Sequence, residues 1–147
     1  GRALIGFGLA ATSNSRYFST SFASGVTANG DHSSKTSVTV NASGNFISNA
    51  ITAPSSVSSM GAIITYQDNA GTNALNSDIV LQLSADGGSN FTTATMTALP
   101  DFSTGIKMAK VNDLAVTAGT SLKYKISFAN QALGSKEARI KGVSLQY

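Results

Sequence analysis

His32 is the only histidine in the chain, and it sits in Gly30-Asp31-His32-Ser33-Ser34, where a carboxylate and two hydroxyls beside an imidazole suggest hydrolytic chemistry. Adjacency in sequence does not make a triad, and no Gly-x-Ser-x-Gly elbow accompanies the group, so the stretch reads as a polar turn. Zinc is a poorer fit, since the chain has no second histidine and no cysteine. Calcium needs several oxygen ligands converging from loops, and Asp68-Asn69, Asp78 and Asp86 could supply them. The order Asp-x-Asp-x-Asp-Gly is missing and only seven acidic residues exist, so turn-capping is the better reading of these groups. The residues therefore predict no catalytic group, no metal and no cofactor.

The elements that would position such groups are short strands. The clearest local signal is Leu81-Gln-Leu-Ser-Ala-Asp86-Gly87-Gly88-Ser-Asn-Phe-Thr-Thr-Ala-Thr-Met96, two alternating stretches around an Asp-Gly-Gly turn of the kind a β-hairpin uses. In 122–128, Leu122, Tyr124, Ile126 and Phe128 share one face, and Lys123, Lys125 and Ser127 share the other. The same alternation turns Ile79, Leu81 and Leu83 inward, and Val143, Leu145 and Tyr147 on the last strand. Strands are expected at 17–23, 37–40, 45–51, 62–67, 78–84, 91–96, 106–111, 122–129 and 139–147. Between them, Ala28-Asn-Gly-Asp31, Ala42-Ser-Gly44, Ala53-Pro-Ser-Ser56, Asp68-Asn-Ala-Gly71, Asp86-Gly-Gly88 and Ala118-Gly-Thr120 read as turns. Short antiparallel strands with one apolar face must bury it against a second sheet, which predicts an all-β antiparallel sandwich of jelly-roll type.

Composition agrees with that class. A chain of 147 residues suits a single domain able to bury a core without a disulfide, and roughly a quarter of its residues are Ser or Thr while charge is sparse. The net charge of +3 is carried mostly by Lys107, Lys110, Lys123, Lys125, Lys136, Arg139 and Lys141 in the last third. Without stacking aromatics among them, these cations argue for solvated strand faces over nucleic acid. The segment 1–16 is apolar and glycine-rich but too short to span a bilayer, which leaves 17–147 as one domain and no membrane partner. Leu4, Ile5, Phe7 and Leu9 in that arm would expose area worth about 1.5 to 3 kcal/mol each if buried, so the arm predicts self-association.

Ser84-Ala-Asp86-Gly87-Gly88-Ser-Asn90-Phe91 is similar to the Asp-box of sialidases and related β-proteins, with Asn90 where that box has Thr or Ser. The likeness implies a turn-folding device and no catalytic group. Asn41-Ala-Ser43 and Asn90-Phe-Thr92 satisfy the N-glycosylation pattern. A longer resemblance runs through Asp78-Ile-Val-Leu-Gln-Leu-Ser-Ala-Asp-Gly-Gly-Ser-Asn-Phe-Thr92, Gly119-Thr-Ser-Leu-Lys-Tyr-Lys-Ile126 and Ala138-Arg-Ile-Lys-Gly-Val-Ser-Leu-Gln-Tyr147. That order resembles the C-terminal β-sandwich of tailed-phage virion proteins, tail-fibre-like ones above all.

The resemblance implies a non-enzymatic virion component on the particle surface: a tail fibre, a receptor-binding tip or a capsid-decoration protein. Its partners would be other virion proteins and copies of itself in a homotrimer, with a host-surface glycan as a further one. Two rival classes remain: a carbohydrate-binding module and a subunit of an extracellular filament or surface layer. The absence of Trp weighs against the first, as do the tyrosines, Tyr17, Tyr66, Tyr124 and Tyr147, which mostly fall at strand positions that read as core.

Overall fold

Alternation of apolar and polar residues in 122–128 is realised as part of a much longer strand, Ile106–Gln131. The computed structural model describes residues 41–147, and the strands expected at 17–23 and 37–40, the turn 28–31, His32 and the arm residues lie outside them. The described residues contain seven strands and no helix: β1 (Ala42–Ile47), β2 (Ile51–Ala70), β3 (Ile79–Ser84), β4 (Thr92–Thr93), β5 (Thr97–Ser103), β6 (Ile106–Gln131) and β7 (Glu137–Gln146). Every ladder between them is antiparallel, so the all-β antiparallel class expected from the sequence is the observed one.

β6 organises the sheet. Its C-terminal part lies between β3 and β1, with Phe128 opposite both Ile79 and Gly44, and β4 extends that half beyond β3. Its N-terminal part lies between β2 and β5, with Lys110 opposite both Ile63 and Thr97, and β7 extends that half beyond β2. The apolar faces of both halves meet in one core. Ile79, Leu81, Leu83, Leu122 and Ile126 come from the first half, Met60, Ala62, Ile64, Tyr66, Ala109 and Val111 from the second, and all are buried. At about 1.5 to 3 kcal/mol for each large aliphatic side chain removed from water, this cluster is the main term holding the halves together.

Several expected elements are corrected. The two strands expected at 106–111 and 122–129 are one strand, and Ala118-Gly119-Thr120 is extended within it, not a turn. Gly119 is there for a close approach: a Cβ would stand 2.2 Å from the Ala85 carbonyl oxygen. Ala53-Pro-Ser-Ser56 also lies inside a strand. Its proline is accommodated because the β2–β6 register slips between Thr52 and Val57, where a ladder hydrogen bond is not required of Pro54. Thus the strand expected at 62–67 extends over Ile51–Ala70.

The turn expected at 42–44 is the start of β1, which ends at Ile47 and not at residue 51. Residues 91–96 contribute only Thr92–Thr93 to the sheet, and a strand unforeseen in the sequence, β5, follows. Tyr147, one residue past the end of β7, is 61 % exposed and not in the core, while Val143 and Leu145 of β7 are half-buried against the core.

Candidate functional site

The Asp86-Gly87-Gly88 turn is built as its residue types require. Gly87 has φ 78° and Gly88 φ 92°, left-handed conformations that glycine adopts without a Cβ penalty. Ser84, fully buried at the end of β3, donates to Asp86 Oδ1 at 2.7 Å and accepts the Gly88 N–H at 2.9 Å. The backbone N–H of Asn90 donates to Asp86 Oδ1 at 2.9 Å and its side-chain amide to Asp86 Oδ2 at 2.7 Å. These donors favour the ionised carboxylate and hold the Asp86 pKa down from 3.8 to about 2, the Asn90 backbone and side chain first and Ser84 after them. The turn is then pinned to β6: Gly87 N–H donates to Ser121 O at 2.8 Å and Ser121 N–H to Ala85 O at 2.9 Å.

The other candidate calcium ligands, Asp68, Asn69 and Asp78, occur where the end of β2 and residues 71–78 meet the β6–β7 hairpin, and Asn69 Nδ2 donates to Glu137 Oε1 at 2.6 Å. Asp78, 3 % exposed, accepts from Asn130 Nδ2 at 2.8 Å, Lys136 Nζ at 2.6 Å and Ala74 N–H at 2.9 Å. Those bonds, led by Asn130 and Lys136, lower its pKa from 3.8 to about 2. For Asp68, burial pushes the pKa up, but Lys107 Nζ at 2.7 Å and the two donors of Asn73 outweigh it, and the net shift is downward. Buried Asn73 also donates to Glu137 O and accepts from Gln131 Nε2 at 2.9 Å, and Gln131 Oε1 accepts the Ala138 N–H.

The carboxylates are thus occupied by amides and lysines, and they are dispersed over two sites. Among the described residues no group of three or more His, Cys, Asp or Glu side chains lies together. Two of the seven C-terminal cations, Lys107 and Lys136, are spent in ion pairs with Asp68 and Asp78, and Lys125 lies 5.5 Å from the centroid of the Phe91 ring.

A third place is different in kind. Where Ala62 pairs with Val111 and Met60 with Leu114, one β2 residue, Gly61, stands opposite two of β6, Asn112 and Asp113, which makes a β-bulge. Asp113 adopts φ 50°, a left-handed conformation that carries a conformational cost for a residue with a Cβ, smaller for Asp and Asn than for other types. Beside this bulge, Ser59, Asn112, Asp113, Gln146 and Tyr147 line a groove of about 520 Å³, with Met60 and Gly61 also on its wall. Gly61 leaves room there: a Cβ would stand 2.9 Å from Gln146 Oε1 and 3.0 Å from Val111 O. No described side chain or backbone N–H donates to the Asp113 carboxylate, in contrast to Asp68, Asp78 and Asp86.

Of the residues singled out from the sequence, Asp86, Gly87 and Gly88 form the expected turn, whereas Asp68, Asp78 and Asp86 do not come together. The groove was missed. Asn112-Asp113 interrupts the apolar alternation between Val111 and Leu114 with two residue types that tolerate left-handed backbone, and that was the available signal. Comparisons of the chain with family models, curated proteins and solved structures give no match.

Proposed function

We propose that this chain is a non-enzymatic structural protein of a tailed-phage virion, exposed on the particle surface as a tail-fibre, receptor-binding or capsid-decoration component. One observation supports the non-enzymatic part: the described carboxylates with displaced proton affinities are all engaged by backbone N–H groups, side-chain amides, a hydroxyl or lysines that pin turns. Such bonds stiffen a static β-protein. The two halves of the sheet are read as the leaves of a sandwich wound as a jelly roll. The virion assignment and the threefold symmetry rest on the resemblance in 78–92, 119–126 and 138–147, and self-association on the apolar arm with Leu4, Ile5, Phe7 and Leu9.

Antibody against the purified chain, applied to native particles and viewed by electron microscopy, is the test. Label at regular positions on tails or capsids is expected; label on filaments or cell surfaces alone overturns the virion reading. Mass measurement on the intact chain and on one lacking the first eleven residues tests the trimer, which a stable monomer of the intact chain at micromolar concentration would refute. The second reading, a carbohydrate-binding module, is favoured by one observation, the exposed Tyr147 beside the bulge groove.

A further inference from the structure

We infer that the groove between the β6 bulge and the end of β7 binds a neutral saccharide, with Tyr147 as its apolar platform and Asn112, Asp113 and Gln146 as its hydrogen-bonding wall. Its volume of about 520 Å³ falls within the roughly 300–1,000 Å³ typical of small-ligand sites. Its lining decides the ligand class. Sugars present vicinal hydroxyls, which pair with groups that accept and donate side by side, and a face of C–H bonds, which packs on an aromatic ring.

The groove holds a carboxylate, two primary amides and the Ser59 hydroxyl around an exposed tyrosine. Among the described lining residues none is a cation, so a phosphate, a sialic acid or a uronate would meet Asp113 with no compensating charge.

Two features of the backbone support a built site over an accidental hollow. The bulge places Asn112 and Asp113 together on the rim, where an unbulged ladder would turn them to opposite faces. Asp113 occupies a left-handed conformation that glycine would take with less strain, and its exposed carboxylate accepts no hydrogen bond from a described protein donor, which leaves it open to a ligand. Asp86 shows the alternative in the same chain, with glycines bearing the left-handed backbone and the carboxylate used internally.

The inference needs only the fold and stands apart from the virion assignment, so sugar binding and particle labelling can fail separately. Amide chemical shifts of the ¹⁵N-labelled full chain, titrated with glucose, galactose, mannose, N-acetylglucosamine, lactose and maltose, test it, with inorganic phosphate and sialyllactose as anionic controls. At about 10 mM, ten times the Kd of a 1 mM site, at least one neutral sugar is expected to give saturating shifts at Gly61, Asn112, Asp113 and Gln146. Tyr147→Ala and Asp113→Gly should each weaken that binding about tenfold or more. Both change exposed positions, and unchanged melting verifies their folding. Shifts confined to other residues, no response to any of the six sugars, equal response to phosphate, or full affinity in both variants would overturn the proposal.

Discussion

At the turn after β3, Gly87 and Gly88 carry the left-handed backbone, and Asp86 takes three hydrogen bonds from Ser84 and Asn90. At the β6 bulge, Asp113 is itself the left-handed residue, and its carboxylate lines a groove without a described donor. Both are departures from regular ladder geometry beside an edge of the sheet, yet the first has minimal strain and full satisfaction while the second retains strain and leaves an acceptor available. A turn whose polar groups are internally consumed contributes stability. A bulge that holds an acceptor out at a conformational cost has that acceptor free for something outside the chain.

The largest effect that bears on this contrast is expected at Gly119, the β6 residue against which the first turn is seated. Gly119→Val would drive a side chain into the Ala85 carbonyl, 2.2 Å from the Cβ position, and should cost about 3 kcal/mol in urea unfolding. A loss below about 1 kcal/mol would mean that the turn is free to lift from β6. Gly88→Val comes next. It places a β-branched residue at φ 92° against the Phe91 ring and should lose about 1–3 kcal/mol. Unchanged melting would remove the left-handed turn.

The pH dependence is smaller and specific. Asp86 and Asp78 have folded pKa values of about 2 against an ordinary 3.8, so their stabilisation is fully present above about pH 4 and is lost as pH falls through 2. Melting temperature followed from pH 5 to pH 2 should decline over that window. Asp86→Asn should flatten part of the decline, because its carboxylate is held by the Asn90 and Ser84 donors. An undiminished decline in that variant would mean that the turn does not depend on the ionised carboxylate. The smallest effect is expected for Asp113→Gly, where relief of left-handed strain is offset by the greater freedom of glycine in the unfolded chain, leaving a change within about 1 kcal/mol. A loss much beyond that would make Asp113 a structural residue like Asp86.

Alternation by itself determined the class of the fold and much of its core. Leu122 and Ile126, and Ile79, Leu81 and Leu83, are buried where a period of two put them, because inward and outward positions in a strand follow from covalent geometry alone. The Asp86-Gly87-Gly88 turn was equally legible, since its hydrogen bonds run between residues at most four apart. Strand continuity was decided by tertiary structure. Gly119 and Pro54 are turn signals in one dimension; in the folded chain the first admits the Ala85 carbonyl and the second sits in a slip of register.

The groove depended on tertiary structure in the same way. Ser59, Asp113 and Tyr147 are far apart along the chain and meet because β2 lies between β6 and β7, and Tyr147 passes the alternation test for the core while standing exposed at the strand's end. Periodicity reports which face of a strand a residue occupies. Whether anything covers that face depends on pairings between residues distant in sequence, which local alternation does not encode.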